Sequence, residues 1–362
     1  MSTGQTIIEA SAFGVPAWLV VDRLDNTLAF GGFRFSDSVS LDQVSLLAST
    51  MSWKLAAHGL PVGGAKAGVR CRPDHPRIDA ILAELASAWR EPLSTHVVLG
   101  KDMGATDALL DRLYEHLGRS QLHLIQAREP SCPGRIRELS GYVRDMTGLG
   151  AVVAAEGLVG SLRGKRVLIQ GAGVVGAGVA VRATRRGAVV VGMSDIDQAV
   201  VSVDGLPVAE HVLAARAAHR PFRLASVEAA GGTRLRPDDL LGTAADILVL
   251  AAGSHVVSAA LASDIRADVV VEAANFGLTE QANTVLFERG VPVVPDVISS
   301  SSSAAMTSYQ LADGNRWRPD ALWERIEGNI RTAVTEGSRT ATQRRTSIRE
   351  AYKSMYAHVL SR

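Results

Sequence analysis

The sequence predicts an α/β protein with two domains separated by a cleft. With 362 residues, of which 47% are hydrophobic, the chain is long enough for two cores. Short apolar runs alternate with segments of helical periodicity, as in α/β folds. A Gly-x-Gly-x-x-Gly sequence in the second half follows one of the apolar runs. We therefore expect an α/β domain over residues 1–140 and a doubly wound domain over residues 141–329.

Composition excludes several classes of protein. Charged residues make up 21% of the chain, the net charge is +1, and no basic tail or stripe indicates a nucleic-acid partner. The most apolar long stretch, Ile247–Leu261, is too short and too interrupted to cross a membrane. Cys71 and Cys132 indicate neither a disulfide framework nor a metal site, so no metal is expected. The first residues lack the pattern of a signal peptide, and we expect a cytoplasmic protein.

The first domain begins with two predicted strands, Ala17–Val21 and Thr27–Phe30, joined by a turn at Asp22–Asn26. A helix follows, because Ser40 and Gln43 form a capping box. Apolar residues then recur at helical spacing, and a glycine is a natural stop. These positions are Leu41, Val44, Leu47, Ala48, Met51 and Leu55, with the stop at Gly59.

Two lysines near the end of this helix are candidate functional residues. Lys54 falls on or beside the apolar stripe, so either its stem packs at the edge of the core or its amine points into a cleft. Lys66 follows in a predicted turn lined by Gly63-Gly64 and Gly68, where a ligand can approach the backbone. A partly desolvated lysine beside a second cation has a lowered pKa, which suits a general base. We favour the functional interpretation of both lysines.

A carboxylate joins the two lysines as a candidate. We predict a strand at Gly68–Cys71, a helix at Ile78–Arg90 and a strand at His96–Leu99, after which Asp102 lies between two glycines. Ligands of α/β proteins bind at the carboxyl ends of strands, and this favours a catalytic Asp102. The alternative is a cap for the next predicted helix, Ala105–Leu117.

The second domain follows a predicted linker, Glu129–Leu139. A strand at Lys165–Gln170 leads directly into Gly171-Ala172-Gly173-Val174-Val175-Gly176 and then into a helix that ends at Arg186. This context, with an acidic residue about 20 residues later, is that of the Rossmann dinucleotide fingerprint. The glycines make the tight turn, expose backbone N–H groups to the pyrophosphate and let the helix pack on the strand. We therefore assign cofactor binding to Gly171, Gly173, Val174, Val175 and Gly176.

The acidic residue indicates which dinucleotide is bound. Asp195 follows the predicted strand Ala188–Met193 and would accept hydrogen bonds from the ribose hydroxyls. Its charge would repel a 2′-phosphate, so NAD is favoured. Arg185 and Arg186 lie on the intervening helix and are weak arguments for NADP, which remains possible.

The rest of the domain continues the same alternation. Buried strands are predicted at Asp246–Ala252 and Asp268–Val271, a helix around Thr279–Arg289 and a last strand at Pro292–Val297. Helical periodicity then returns in two C-terminal segments, which are Leu322–Val334 and Ile348–Leu360.

Three segments of the first domain carry a family resemblance. They are Gly31-Gly32-Phe33-Arg34-Phe35, the helix end Trp53-Lys54, and Leu60-Pro61-Val62-Gly63-Gly64-Ala65-Lys66. They resemble the signature of the glutamate/leucine/phenylalanine/valine dehydrogenases, which are NAD(P)-dependent amino-acid dehydrogenases. The resemblance runs in family order from Ala17 to Tyr309.

The resemblance implies a role for each matching residue. Lys54 would hold the substrate α-carboxylate, Lys66 would act as acid and base at the amine, and Asp102 would exchange protons. Gly31 and Gly32 would belong to the substrate site. The family's C-terminal helices pack on the first domain, which implies the same for residues 330–362 here.

In the second domain the resemblance extends to the cofactor. Thr147, in a segment that resembles the family's connection into the nucleotide domain, would face the cofactor; a cap for the helix Ala151–Val159 is a compatible alternative. Asn275, in Glu272-Ala273-Ala274-Asn275, would contact the nicotinamide and the substrate amine. Ala252, at the end of a predicted strand, completes the expected cofactor contacts. The family also implies a homo-oligomer, a dimer or larger.

Two departures from the family pattern affect the predicted function. Ser299–Ser303 replaces an asparagine-alanine-glycine-glycine loop, either by supplying its hydrogen bonds or as a mobile loop. Phe30 replaces a lysine that binds the side-chain carboxylate in glutamate-specific members, and Ser308 or Thr307 matches a serine that assists this lysine. Without the lysine, the chain is closer to the leucine/phenylalanine/valine-type branch.

The expected reaction is therefore reversible oxidative deamination of an aliphatic or aromatic L-amino acid to a 2-oxo acid and ammonia. Two alternatives remain. One is a related dehydrogenase or reductive aminase that acts on a non-standard amino acid in a specialised pathway. The other is a non-catalytic nucleotide-binding homologue, for which the serine run is the only support.

Overall fold

The computed structural model describes residues 4–24, 28–121, 123–128, 145–313 and 318–360. The chain divides into two compact units. Unit 1 takes residues 1–138, 304–322 and 357–362, and unit 2 takes residues 139–303 and 323–356. The predicted linker Glu129–Leu139, Cys132 and much of the predicted turn Asp22–Asn26 lie outside the described residues. Of the helices that are described, none combines the length and the apolar character needed to cross a membrane.

Unit 1 is built on a mixed sheet of five strands in the order β1-β2-β4-β3-β5. The strands are β1 (Thr6–Ala12), β2 (Val15–Val21), β3 (Ala29–Phe35), β4 (Gly63–Val69) and β5 (Val97–Lys101). Its helices are α1 (Leu41–Ala56), α2 (Ile78–Ala88), α3 (Arg90–Thr95), α4 (Asp107–Glu115) and α5 (His123–Arg128). The central strand β3 runs parallel to both β4 and β5, so the carboxyl ends of these three strands meet at one edge.

The two faces of this sheet differ in character because side chains alternate along each strand. One face is the core of unit 1 and is apolar throughout. It includes Ala29, Phe33, Phe35, Ala65, Ala67, Val69, Val97 and Leu99. The residues between them, which are Phe30, Gly32 and Arg34 on β3 and Lys66 on β4, belong to the other face. The alternation therefore separates the functional candidates from the core.

The glycine-rich segments are strands, and the predicted turn around Lys66 is wrong. Lys66 lies in the middle of β4, and β3 continues through Gly31 and Gly32 to Phe35. Glycine serves here for close packing, since a Cβ on Gly64 would lie 2.2 Å from the carbonyl oxygen of Ala48 in α1. In addition, β2 and β3 are not neighbours, because β4 lies between them.

Helix α1 begins where the sequence predicts. The Ser40 hydroxyl accepts a hydrogen bond from the backbone N–H of Gln43 at 3.3 Å. The helix ends at Ala56, ahead of Gly59, whose φ of +61° is readily adopted by glycine. The predicted N-cap at Ser40 and the stop are confirmed, but the reciprocal half of the capping box is not formed, because the Gln43 Oε1 has no hydrogen-bond partner among the described residues.

Unit 2 is built on a sheet of seven strands in the order β12-β11-β10-β6-β7-β8-β9. The strands are β6 (Arg166–Gln170), β7 (Val189–Ser194), β8 (Ala199–Val201), β9 (Thr233–Leu235), β10 (Ala245–Leu250), β11 (Ala267–Glu272) and β12 (Val293–Val294). The helices are α6 (Met146–Val159), α7 (Val174–Arg185), α8 (Val208–Ala217), α9 (Ala225–Glu228), α10 (Ala259–Asp264), α11 (Glu280–Glu288), α12 (Asp296–Ser299), α13 (Ser301–Asp313), α14 (Pro319–Arg344) and α15 (Ile348–Leu360), with a 3₁₀ turn at Pro237–Gly242. The unit boundaries fall within α13, α14 and α15.

The order of strands in unit 2 is that of a doubly wound sheet. The chain starts at β6, adds β7 on one side, and returns to add β10, β11 and β12 on the other side, all parallel. The strand order reverses between β6 and β10, and ligands of such sheets bind at this point. The strands β8 and β9 extend the sheet in antiparallel fashion.

The segment that follows β11 differs from its prediction. The predicted strand Pro292–Val297 is a strand only at Val293–Val294, and α12 begins directly after Pro295. The serine run lies at the junction of α12 and α13, with a turn at Ser300, so it is not an extended loop; Ser299–Ser302 are buried and Ser303 is half-buried. Its hydroxyls donate to carbonyl oxygens, for example Ser300 to Asp296 at 2.7 Å and Ser302 to Met146 at 2.7 Å. Serine is thus accommodated inside a helix because its side chain bonds to backbone oxygen.

The C-terminal helices are grouped differently from the prediction for residues 330–362. Only residues 357–362 of that range belong to unit 1, whereas residues 323–356 belong to unit 2. Ion pairs explain this grouping. Arg331 of α14 contacts Glu156 of α6 at 2.5 Å, and Arg349 of α15 contacts Glu272 of β11 at 2.6 Å.

The close approach of α1 and β4 predicts the effect of a single methyl group. Gly64→Ala would place Cβ 2.2 Å from the Ala48 carbonyl oxygen and 2.4 Å from the Ser52 nitrogen. Because both atoms are backbone, we expect a loss of about 2–3 kcal/mol in the free energy of unfolding, measured with urea. Gly328→Ala is the control, since its Cβ would meet nothing within 4 Å. Equal stability of the Gly64→Ala protein and the unchanged protein would contradict this packing.

Candidate functional site

The predicted catalytic pair is assembled at the edge of the unit 1 sheet where β3, β4 and β5 run parallel. Lys66 lies on β4 opposite Gly32, and Asp102 comes directly after β5. The Lys66 Nζ is 2.7 Å from the Asp102 Oδ2. Asp102 does not cap the next helix, because the Thr106 hydroxyl accepts the capping hydrogen bond from the backbone N–H of Leu109 at 3.2 Å. The alternative role for Asp102 is therefore wrong.

Arg34 is a third charged member of this cluster that the sequence analysis missed. Its Nε donates to the Asp102 Oδ2 at 2.8 Å, and its Nη2 donates to Oδ1 at 3.4 Å. The signal for it was available, since Arg34 is two residues beyond Gly32 on one strand and therefore shares its face. Asp102 is thus held between two cations.

Burial and charge shift the pKa values of this cluster. Burial lowers the pKa of Lys66 below its ordinary value of 10.5; the nearby Asp102 opposes this effect, and the positive Arg34 adds to it. Burial would raise the pKa of Asp102, but Lys66 and Arg34 outweigh it and hold that pKa well below its usual range. Asp102 is therefore ionised at neutral pH, while Lys66 loses its proton more readily than an ordinary lysine. The pair can accept and pass on a proton.

Only one of the two predicted substrate glycines borders the charged pair. A Cβ on Gly32 would lie 3.0 Å from the Lys66 Nζ and 2.8 Å from the Asp102 Cβ, so glycine keeps this space open. A Cβ on Gly31 would instead lie 1.5 Å from the carbonyl oxygen of Ala65. Gly31 thus allows the two strands to pack, and Gly32 leaves room beside the amine of Lys66.

Phe30 and Lys54 are the other predicted substrate residues in the first part of unit 1. Phe30 shares the face of Gly32 and Arg34, and its ring lies over Gly100, where an added Cβ would be 3.1 Å away. Lys54 lies in the last turn of α1 and is only 7% exposed. The Ser52 hydroxyl accepts from the Gly64 N–H at 3.0 Å, which fixes this end of α1 against β4.

Ser308 lies in α13, in the part of this helix that belongs to unit 1. The side chain is fully buried, and its hydroxyl has no hydrogen-bond partner within the described part of the chain. The neighbouring Tyr309 donates its hydroxyl to the carbonyl oxygen of His58, at the C-terminal side of α1, at 3.0 Å. This bond ties the helix that carries Ser308 to the remainder of unit 1.

Four of the predicted cofactor residues line a cavity of about 2030 Å³ in unit 2, whereas Thr147, Val174, Val175, Gly176 and Asn275 are not among its lining residues. Gly171 and Gly173 follow β6, Asp195 follows β7, and Ala252 follows β10, so the cavity lies where the strand order reverses. The cavity is large enough for a dinucleotide.

The glycines of this segment fit the pyrophosphate of a dinucleotide. Gly171 has a φ of +103°, and a Cβ on Gly176 would lie 1.8 Å from the Gly171 carbonyl oxygen. A Cβ on Gly173, by contrast, would meet nothing within 4 Å, so the backbone is open to an approaching group. No side chain caps the N-terminus of α7, where Val174 and Val175 begin the helix. Its first backbone N–H groups therefore suit an anion.

Asp195 is fixed at the end of β7. Its Oδ1 accepts hydrogen bonds from the backbone N–H groups of Asp197 at 2.9 Å and Gln198 at 3.0 Å. This turn uses one carboxylate oxygen in the contacts that the structure describes. Ile196, the next residue, is 92% exposed at the rim of the cavity.

Thr147 and Asn275 lie in other parts of unit 2. Thr147 is within the first turn of α6, and Asp145 is the N-cap residue, so Thr147 is not the cap of this helix. Asn275 follows β11 in a loop between Ala274, whose N–H donates to the Leu250 carbonyl at 2.8 Å, and Phe276. Over the described ranges, no group of three or more His, Cys, Asp or Glu side chains is placed to hold a metal ion.

Comparisons with known proteins identify the family of this chain. The family model "Glutamate/Leucine/Phenylalanine/Valine dehydrogenase" matches residues 140–359, and "Glu/Leu/Phe/Val dehydrogenase, dimerisation domain" matches residues 15–116. Glutamate dehydrogenase B of Halobacterium salinarum is 29% identical over 331 residues, which cover 84% of this chain and 72% of that protein. The NADP-specific glutamate dehydrogenase A1 of Halobacterium salinarum is 30% identical over 326 residues, covering 84% and 74%.

A solved structure is similar over nearly the whole chain. It is a hetero-hexameric glutamate dehydrogenase from Thermus thermophilus in a Leu-bound form, with a TM-score of 0.77 and 26% sequence identity. The similarity covers 98% of this chain and 86% of that chain. The fold described above is thus shared with this structure.

The contacts of Arg34 predict a change in the titration of Lys66. Arg34→Met removes a positive charge that favours the neutral amine, so the pKa of Lys66 should rise. A ¹³C NMR titration of the lysine Cε, with Lys66 assigned from a Lys66→Arg protein, should show the midpoint at higher pH. Arg72→Met, which removes an exposed arginine paired with Asp74, should leave it unchanged. A midpoint that stays or falls in Arg34→Met would refute the role of Arg34.

Proposed function

Because the chain belongs to the glutamate/leucine/phenylalanine/valine dehydrogenase family, we propose that it oxidatively deaminates an apolar L-amino acid. The chain is an NAD(P)-dependent amino-acid dehydrogenase, and the proposal concerns its substrate and the residues that act on it. The products are the 2-oxo acid and ammonia, and the reaction is reversible. The observation that supports an apolar substrate is Phe30, on the face of β3 that also carries Gly32 and Arg34.

In this proposal the residues of unit 1 hold the amino acid and move its protons. Lys54 binds the α-carboxylate by a charge-assisted hydrogen bond. Gly32 leaves room for the reacting carbon and its amine beside Lys66. NAD⁺, when bound, supplies the acceptor for the hydride that leaves Cα. Lys66 first takes a proton from the substrate ammonium group. As the hydride leaves with the C–H electron pair, the freed nitrogen lone pair forms the C=N bond of a protonated imine.

Lys66 and Asp102 carry out the proton transfers that follow. The lowered pKa of Lys66 makes its neutral amine available to take a proton from the water that attacks the imine carbon. Asp102, at 2.7 Å, exchanges protons with Lys66. Arg34 keeps Asp102 ionised and in place by its two hydrogen bonds. The pair then returns a proton to the amine of the carbinolamine formed by water. Its C–N bond breaks to release ammonia, while the hydroxyl loses its proton and becomes the carbonyl of the 2-oxo acid.

We assign the cofactor to the cavity of unit 2. The open backbone at Gly173 and the N-terminus of α7 support pyrophosphate binding there, with Val174 and Val175 in the first turn. Asp195 accepts from the ribose hydroxyls and favours NAD, although one relative is named as NADP-specific. Thr147 and Asn275 complete the proposed contacts, Asn275 at the nicotinamide. The match to a dimerisation-domain model supports a homo-oligomer.

The charge balance of the site argues against glutamate as the preferred substrate. Phe30 cannot neutralise a second carboxylate, and Arg34 is already bound to Asp102. Burying an unpaired carboxylate costs several kcal/mol, whereas one methylene more or less in a pocket changes binding by about 1–3 kcal/mol. The site should therefore bind substrates with a charged side chain much more weakly than apolar ones. It should distinguish only slightly between apolar side chains of different size. Since the relatives compared above are glutamate dehydrogenases, substrate preference is the point to test.

We predict that kcat/KM for leucine, valine, phenylalanine or tryptophan exceeds that for glutamate by at least about 100-fold, following the cost of an unpaired charge. The measurement is kcat/KM for each of these amino acids under one set of conditions, with the reaction followed by the absorbance of the nicotinamide. Phe30→Lys should raise the value for glutamate and lower the values for the apolar substrates. Phe30→Leu, which keeps an apolar wall, should retain the original preference. If glutamate were the best substrate of the unchanged protein, Phe30 would not line the pocket.

A further inference from the structure

We propose that Arg349 is a positioning residue that holds the Asn275 loop in the conformation needed at the nicotinamide. This inference rests on the proposed cofactor role of Asn275. Arg349 lies near the start of α15, and all residues used in the argument belong to unit 2.

Arg349 bridges two buried carboxylates with one nitrogen atom. Its Nη2 is 2.6 Å from the Glu272 Oε2 and 2.7 Å from the Asp296 Oδ1. Both carboxylate side chains are fully buried, Glu272 at the end of β11 and Asp296 at the start of α12. A buried carboxylate without such a partner is strongly unfavourable, so each depends on Arg349.

The same two carboxylates hold the loop that carries Asn275. The Glu272 Oε1 accepts the backbone N–H of Leu278 at 3.1 Å, and the Asp296 Oδ2 accepts the backbone N–H of Phe276 at 3.2 Å. Each carboxylate thus uses one oxygen for Arg349 and the other for the loop. Both of these bonds reach the loop on the C-terminal side of Asn275, and on its N-terminal side the Ala274 N–H donates to the Leu250 carbonyl at 2.8 Å.

Phe276 shows that the loop needs to be held. Its φ of +51° lies in the left-handed region that residues other than glycine rarely adopt, and such strain persists only where the surroundings impose it. The Arg349 guanidinium lies 5.8 Å from the centroid of the Phe276 ring, and the His255 ring stacks on that ring at 5.9 Å. Arg349 therefore contacts the strained residue directly as well as through the two carboxylates.

Charge explains why the loop would move without Arg349. The pKa of Glu272 is raised by burial and by the neighbouring Asp296, and Arg349 opposes this rise. Removal of the guanidinium leaves two buried carboxylates whose repulsion is relieved only by protonation or by displacement. Either change weakens a hydrogen bond to the loop. Lys353, whose pKa is lowered by burial and by Arg349, also interacts with Asp296.

The test compares two ligands that share the adenosine and pyrophosphate and differ at the nicotinamide. Binding of NAD⁺ and of ADP-ribose is measured by calorimetry on the full chain. In Arg349→Met we expect NAD⁺ affinity to fall at least about tenfold relative to ADP-ribose affinity, as expected for a contact displaced from its productive geometry. Arg349→Lys should restore most of this ratio, because a single nitrogen makes both contacts.

Arg331→Met is the matched control. It also breaks ion pairs with two carboxylates, Glu156 and Glu327, but neither contacts the loop. The control should lower thermal stability and leave the NAD⁺ to ADP-ribose ratio unchanged. If Arg349→Met behaves in the same way, Arg349 is merely structural and the inference is wrong.

A second variant keeps the inference testable if Arg349→Met does not fold. Glu272→Gln retains an oxygen for the Leu278 N–H and loses the ion pair, so the ratio should fall by a smaller factor, about threefold or more. An unchanged ratio in this variant would overturn the inference. Failure of the unchanged protein to bind NAD⁺ or NADP⁺ would instead refute the proposed function, which separates the two outcomes.

Discussion

The ion cluster around Asp102 is the interaction on which the candidate site of unit 1 depends. One carboxylate is held by Lys66 on β4 and by Arg34 on β3, while Asp102 itself follows β5. Three parallel strands must keep their register for these contacts to form. The same register places Gly32 beside Lys66, where a larger residue would displace the amine. Burial then lowers the pKa of Lys66, so the chemistry follows from the packing of the sheet.

Unit 2 depends on similar buried charges for another purpose. Glu272 and Asp296 each divide their oxygens between Arg349 and the loop that carries Asn275. Asp195 likewise uses one oxygen to close its own turn. In each case a carboxylate fixes backbone geometry at the edge of a site. Buried ion pairs contribute little net stability compared with apolar packing, but the loss of one partner is costly. The backbone conformations that keep these pairs intact are therefore favoured over alternatives that would break them.

Several features of the fold and the site could be predicted because short stretches of sequence determine them. The N-cap at Ser40, the strand before Gly171 and the carboxylate after β5 all depend on short-range patterns. The strand conformation around Lys66 was not predictable, because glycines that indicate a turn by composition serve here for contact with α1. The helical serine run and the role of Arg349 depend on partners distant in sequence, which no local pattern shows. Arg34 could have been found, because it lies two residues beyond Gly32 on one strand.

The most direct test of the central claim is the activity of Lys66→Ala measured together with its affinity for NAD⁺. If Lys66 transfers the protons, turnover should fall by at least about 100-fold, the smallest contribution usual for a positioned acid–base group. The affinity of the Lys66→Ala protein for NAD⁺ should remain unchanged, because the proposed cofactor contacts belong to unit 2. Turnover close to that of the unchanged protein, with normal NAD⁺ binding, would contradict the account.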